Sequence, residues 1–463
     1  MPELLNLSAV ALAERFQRRR TTPSDYADAL LDHIARWEPH LRALYRFDPE
    51  QVRMQADASR RRWAAGAPLS ALDGIPVTVK DLIATKGDPV PVGSAAATLA
   101  PADADAPVAA RLREAGAVLI GKTTMPDYGM LSSGMSSLHG VTRNPWQFEL
   151  NPGGSSSGAA AAAAAGYGPL HIGTDIGGSI RIPAGWCGLV GFKPSNGRVP
   201  IDPYYTGRCA GPMTRTLDDA ALLMRYVARP DWRDATSLAP ESIDWTIDAA
   251  DVRGMRIGLM LDAGCGLSPD DEIVVAVEAA AEHFARHGAR IVPIAPVLNR
   301  AMLDGLDRFW QARLWGELEG LSAAARARVL PYIIEWAGQA TAVSGVDAVR
   351  GFGATFEMRA GAARAFQEVD AILSPTNPVI GFPAEWAGPT NDPTRPFEHI
   401  AFTVPWNMGE QPALSIHCGF ARNGLPIGLQ IIGPRFADRL VLQLGKAYEL
   451  WRGPMLHWPE PPR

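Results

Sequence analysis

Gly153-Gly154-Ser155-Ser156-Ser157-Gly158, then seven alanines (Ala159 to Ala165), then Gly173-Thr174-Asp175-Ile176-Gly177-Gly178-Ser179-Ile180-Arg181 form the stretch that decides this fold. A helix from about Ser156 to Gly166 advances roughly 16 Å at 1.5 Å per residue. A strand through Pro169-Leu170-His171-Ile172-Gly173 returns roughly 17 Å at 3.3 Å per residue. The two advances nearly cancel, so Ser155 and Ser179 are expected to meet at one end of a helix–strand pair. Two glycine-embedded hydroxyls at one point indicate a nucleophile with a hydroxyl neighbour. They leave open which group removes the proton. The alanines let the helix pack closely against neighbouring backbone.

Outward from this block, short apolar runs alternate with helical patterns. Gly74-Ile75-Pro76-Val77-Thr78-Val79-Lys80 reads as a strand, with Val77 and Val79 on one face and Thr78 and Lys80 on the other. Pro107 to Gly116 reads as a helix, and Ala117 to Lys122 as a buried strand. Further strands are expected near 256–260, 290–294, 371–374 and 412–432, with helices over 217–227, 270–287 and 439–450. This alternation implies an α/β fold: a central twisted, mixed β-sheet covered by helices on both faces. Length alone would allow about three domains. Strand signals nevertheless span the whole chain with no low-complexity linker, so residues 1–463 are expected to form a single large domain. Within it, 1–65 read as N-terminal helices, the second opened by Pro23-Ser24 and closed at Trp37-Glu38-Pro39. Residues 66–220 carry the catalytic core, and 300–365 form a helical cap over the pocket, with Trp310, Trp315 and Trp336 clustered.

The 463 residues are 47% hydrophobic and 20% charged, with a formal net charge of -5. That balance gives no electrostatic reason to expect a nucleic-acid surface. Arg18-Arg19-Arg20 and Arg60-Arg61-Arg62 sit beside expected helices and read as solvated ends or faces. Cys187, Cys209, Cys265 and Cys418 are widely spaced and lack CxxC pairs, which argues against a zinc cage or disulfide framework and fits a reducing cytoplasm. No signal-peptide pattern opens the chain, and the alanine run is too short to span a bilayer. The expectation is a cytoplasmic protein with no membrane, nucleic-acid or metal partner.

Ser179 follows a strand and a Gly-Gly pair and precedes a short helix to Trp186, interrupted by Pro183. The N–H groups of Ile176, Gly177, Gly178 and Ser179 are expected to converge on one point, since glycine reaches the φ > 0 conformations such a nest needs. Aimed where charge develops, they form an oxyanion hole, about 3–4 kcal/mol per donor. The same loop also fits a tight turn or a phosphate site, although no GxxxxGK[ST] is present. Histidine is the first base to consider. His33, His40, His283 and His287 lie on expected helices, His457 lies in the tail, and His171 and His417 read as packed strand residues. His139 and His399 lie on loops with no motif around them. Lys80 is the alternative: it ends an apolar strand and faces away from Val77 and Val79. To act as a base it must be neutral, and moving a lysine from about 10.4 to 7 corresponds to roughly 4–5 kcal/mol, which burial beside dipolar partners can supply.

In order, Gly74-Ile75-Pro76-Val77-Thr78-Val79-Lys80-Asp81, Gly153 to Gly158, and Gly173 to Pro183 resemble the amidase signature family. The likeness continues through Cys187-Gly188-Leu189-Val190-Gly191-Phe192-Lys193-Pro194, Gly211-Pro212-Met213-Thr214-Arg215, Ser374-Pro375-Thr376, and Asn407-Met408-Gly409 to Ser415. It covers roughly residues 5–455 and is weakest over 300–365. The resemblance implies a Ser–cis-Ser–Lys triad, with Lys80 as base, Ser155 as the bridging serine in a cis peptide and Ser179 as nucleophile. It implies hydrolysis of a small-molecule amide through an acyl-enzyme, without metal or organic cofactor, by a protein compatible with a homodimer. Met130 and Ser133 fall in a loop that lines the pocket in relatives, and Tyr204 and Tyr205 are further pocket candidates. Asp175 and Arg181 read as a structural pair, and Ser156 and Ser157 as caps of the alanine helix. The alternative within the family is the glutaminase-like component of a tRNA-dependent amidotransferase. There the corresponding loop is Thr-Glu-Asn-like, whereas here it reads Gly134-Met135-Ser136-Ser137-Leu138-His139.

Overall fold

Short β-branched and apolar runs between glycine and proline breaks form the strands of the protein, whose computed structural model describes residues 2–455 and 457–462. In chain order these are β1 (Leu44–Tyr45), β2 (Pro76–Lys80), β3 (Val118–Thr123), β4 (Met135–Ser136), β5 (Gly140–Val141), β6 (Leu170–Asp175) and β7 (Val190–Lys193), followed by β8 (Cys209–Thr214), β9 (Arg256–Leu259), β10 (Arg290–Pro293), β11 (Ala371–Pro375), β12 (Ala413–Phe420) and β13 (Pro426–Ile432). β4 and β5 make a small hairpin; the other strands form one 11-stranded sheet in the order β1-β3-β2-β6-β8-β7-β12-β13-β11-β9-β10. The β3-β2-β6 and β11-β9-β10 neighbours are parallel, and the strands between them are antiparallel. The sheet is therefore mixed.

Both faces of this sheet are covered. Along β11, Ala371 and Leu373 pack in one buried apolar cluster while Ile372 packs in another. The same alternation separates Ile431 from Ile432, as the two-residue period of a strand requires. One cluster takes side chains from helices Pro23–Leu41, Leu217–Val227, Asp271–Arg286 and Asp438–Arg452; the other takes them from Arg300–Glu319 and Pro331–Gly338. With helices on both sides, β2, β6 and β13 are buried at every residue.

Local chemistry sets most boundaries. Thr22 and Asp25 form a capping box that opens helix Pro23–Leu41. That helix does not close at Pro39, as the sequence suggests, but runs to Leu41 and stops where Arg42 adopts φ 51°. A proline in the last turn removes one donor without breaking the turns before it. The N-terminal segment also contributes β1, which pairs antiparallel with β3. Residues 300–365 are mainly helical, and Trp310 and Trp336 both pack edge-on against Phe397, at 5.1 and 5.5 Å. Trp315 lies at the margin of this cluster under Arg326.

Candidate active site

The alanine helix spans Ser157–Ala165 and is buried at every position. It returns the chain into β6, which lies parallel to β2 with Val79 opposite Ile172. Lys80, at the end of β2, therefore arrives beside the serine loop and the end of β6. The Gly154–Ser155 peptide is cis. Gly173 carries no Cβ, and one built there would stand 2.7 Å from Ser156 Oγ. This glycine lets β6 approach the serine loop.

Lys80 is fully buried, and its Nζ lies 2.8 Å from Ser155 Oγ, 3.0 Å from Ser156 Oγ and 3.1 Å from Thr174 Oγ1. Burial drives its pKa well below the ordinary lysine value; the charge of Arg208 lowers it further, while Asp175 and Asp81 oppose the shift. In the neutral form of Lys80, the hydrogen-bond pattern gives the amine a direction. Ser156 Oγ donates its single proton to the Thr174 carbonyl at 3.1 Å and also accepts from the Thr174 N–H at 3.2 Å, so toward Lys80 it can only accept. A neutral Lys80 has two N–H donors and one lone pair. Donation to Ser156 and Thr174 leaves the lone pair for the proton of Ser155.

Ser156 N–H donates to the Ser179 carbonyl at 3.2 Å, which ties the two serine loops together. Ser155 and Ser179 line one cavity of about 30 Å³ with Leu82, Tyr128, Gly129, Met130, Thr174, Ile176, Arg208, Trp310 and Arg313. The Ser179 hydroxyl has no hydrogen-bond partner among the described residues. The N–H groups of Ile176, Gly177 and Ser179 likewise have no acceptor among them. Gly178 departs from expectation: its N–H donates to Asp175 Oδ1 at 2.8 Å, while Thr403 Oγ1 donates to the Gly177 carbonyl at 2.6 Å. The peptide between Gly177 and Gly178 is thus pinned on both sides, which removes Gly178 from the set of free donors. Its φ of 128° and a virtual Cβ only 2.5 Å from Ile182 Cδ1 explain why glycine is needed there.

Asp175 anchors the loop. It accepts from the N–H groups of Gly178, Ile180 and Arg181, from Asn407 Nδ2 at 2.8 Å, and from Arg181 Nε and Nη2 at 3.0 and 2.9 Å. Burial raises its pKa, but the Arg181 charge and these donors outweigh burial and hold the carboxyl well below the usual range. The pair has no exposed side-chain surface and is structural in its contacts.

The other candidates divide. Met130 lines the cavity. Ser133 does not: its hydroxyl donates to the Trp386 carbonyl at 2.7 Å and accepts from Asn151 Nδ2 at 2.8 Å, bracing the loop behind the cis peptide. Tyr204 is 41% exposed and off the cavity wall. Tyr205 stands one layer back, its ring beneath Arg313 and Arg208 at 4.0 and 5.4 Å. Ser156 is not a side-chain cap of the alanine helix; its hydroxyl belongs to the Lys80 network instead. His171 is a packed residue bonded to Thr78 Oγ1 at 2.8 Å, and His139 bonds Asp81 at 2.8 Å. Among the described residues no histidine lines the cavity. Thr174, Arg208 and Arg313 are the residues that sequence reading misses. Among the described residues there is no group of three or more potential metal ligands, and no helix is long and apolar enough to cross a membrane.

The Amidase family model matches residues 25–442. The chain is 35% identical to the A component of the glutamyl-tRNA(Gln) amidotransferase of Myxococcus xanthus, over 96% of this chain and 97% of the relative. It is 33% identical to an acylamidase of Rhodococcus erythropolis, over 96% and 95%. Among solved structures, a bacterial aryl acylamidase of the amidase signature enzymes superposes with a TM-score of 0.87 at 28% identity, covering 96% of each chain. Motif order, sheet and serine–lysine cluster agree with that match over nearly the whole chain, which belongs to the amidase signature family of hydrolases acting on amide carbon–nitrogen bonds.

Proposed function

We propose that the protein is a free-standing amidohydrolase that cleaves a small-molecule amide through an acyl-enzyme on Ser179, with Ser155 and Lys80 as the proton relay. The observation that carries this reading is Lys80 Nζ, buried and 2.8 Å from Ser155 Oγ, beside a cavity that Ser155 shares with Ser179. Ser179 Oγ attacks the amide carbon and passes its proton to Ser155, whose own proton goes to the Lys80 lone pair. The oxyanion is held by the free N–H groups of Ile176, Gly177 and Ser179. Collapse breaks the C–N bond, and the proton returns through Ser155 to the departing nitrogen, releasing ammonia or an amine. Water then attacks the ester by the same relay, so amide plus water becomes carboxylic acid plus amine. Every proton transfer is assigned to side chains of this protein.

We further propose that the chain works as one domain, with 300–365 capping the pocket, since Trp310 and Arg313 reach the cavity from that segment. Four free cysteines fit a cytoplasmic location. The relatives named as amidotransferase components support a second reading, in which the same site supplies ammonia within an assembly. Activity of the isolated chain separates the two. We expect ammonia or amine release from a panel of aliphatic, aryl and carboxylated amides with no other protein added. Ser179→Ala and Lys80→Ala are each expected to lose at least about 10³-fold in kcat. Wild-type turnover in either variant would sink that residue's role.

A further inference from the structure

Two arginines share the cavity with the serines: Arg208, which precedes β8, and Arg313, from helix Arg300–Glu319. Both guanidinium groups lie over the Tyr205 ring, so the two positive charges are held side by side. Among the described residues neither is neutralised by a buried carboxylate. Arg208 makes no ion pair with any of them, and its one hydrogen bond, from Nη1 to the Pro203 carbonyl, is long at 3.4 Å. Among the described residues Arg313 pairs only with Glu317, 3.3 Å away and half-exposed. Burial, and then the neighbouring Arg313 charge, pull the Arg208 pKa down to about 10. Other arginines are satisfied within the protein: buried Arg181 has Asp175, Arg198 has Asp438, and Arg215 donates to the Ala163 and Ala164 carbonyls at 3.0 and 2.8 Å. Holding two cations together beside a nucleophile is unfavourable unless an anion joins them. Guanidinium groups are also well shaped to hold a carboxylate through paired N–H donors.

We propose that the amide cleaved at Ser179 carries a carboxylate, and that Arg208 and Arg313 bind it during attack. The reaction in this proposal rests on the Ser179 reading, whereas the anion binding does not. The arginines and the serines line the same cavity, which keeps the carboxylate within a few bonds of the scissile amide. Short ω-carboxy amides, or amides of short amino acids, satisfy that limit.

The test compares each carboxylate with the isostere in which a methyl replaces it: succinamate with butyramide, glutaramate with valeramide, N-acetylglycine with N-ethylacetamide. The wild type is expected to favour the carboxylate in at least one pair by about 30-fold or more in kcat/KM. Arg208→Gln and Arg313→Gln should each reduce that ratio by about 10- to 100-fold, chiefly through KM, with Arg208→Lys retaining part of it. A role for Arg208 confined to depressing the Lys80 pKa would instead lower charged and neutral amides equally, and that result overturns the proposal. Titration of succinamate and N-acetylglycine into Ser179→Ala reads binding without turnover. Binding to Ser179→Ala that weakens with added Arg208→Gln, while the wild type hydrolyses none of these amides, would fault the Ser179 reading and leave the anion site standing. A wild type that prefers every neutral isostere, with no saturable carboxylate binding to Ser179→Ala, would overturn it.

Discussion

In the proposed relay Lys80 must be neutral to take a proton, and its surroundings set the pH at which it is. Burial, and then Arg208, lower its pKa against the pull of Asp175 and Asp81. Below that depressed pKa the amine is charged and cannot serve as base. kcat/KM is therefore expected to fall as pH drops through it, and to stay on its plateau where an ordinary lysine, at about 10.4, is still protonated. Stability has the same sign. Between the folded and unfolded pKa values the unfolded chain binds more protons, so stability rises with pH across that window. Lys80→Met should accordingly abolish turnover, yet melt at or above the wild-type temperature near neutral pH. An acid limb near 10.4, or a Lys80→Met protein that melts well below the wild type, would contradict this account. At this scale the sequence is legible for the placement of Lys80 against Ser155, and of Ser155 and Ser179 on one cavity, because their motifs stand in order along the chain. It is not legible for Ser156, because a serine at a helix start reads as a cap whether its hydroxyl turns to the helix or to a lysine 3.0 Å away.

The helix Ser157–Ala165 and strand β6 act as one positioning device. The alanines let the helix sit buried beneath the loops, and Gly173 lets the strand close on Ser156. Gly173→Ala would force its Cβ to 2.7 Å from Ser156 Oγ, closer than real Cβ contacts. Overpacking of this kind costs about 1–3 kcal/mol. We expect a folded but less stable protein in a denaturant titration, with kcat down at least about 10-fold because Ser156 is a fixed acceptor for Lys80. Loss of stability with full activity would show that the Ser156 contact is dispensable. The helix, β2 and β6 are readable because glycine and proline punctuate runs with a clear period. β1 is not, because two residues become a strand only through the partner they find in β3.

Across the whole molecule, the sheet order brings β2 from residue 76 and β6 from residue 170 together, while the helix beginning at Arg300 supplies the far wall of the cavity. This long-range closure explains why the arginines escape a sequence reading. Arg313 looks like any solvated helix residue, and Arg208 like any loop cation, until folding sets both over Tyr205. It also explains why Tyr204 and Ser133 are poor guesses: adjacency in sequence does not say which side chain of a loop turns inward. The central claim is that amide cleavage passes through an ester on Ser179. Intact-mass measurement of enzyme quenched in acid during turnover of an amide tests it most directly. The account predicts a mass increase equal to the acyl group, mapped by peptide digestion to Ser179 and absent from Ser179→Ala. Turnover without acylated enzyme, continuing in Ser179→Ala, would contradict it.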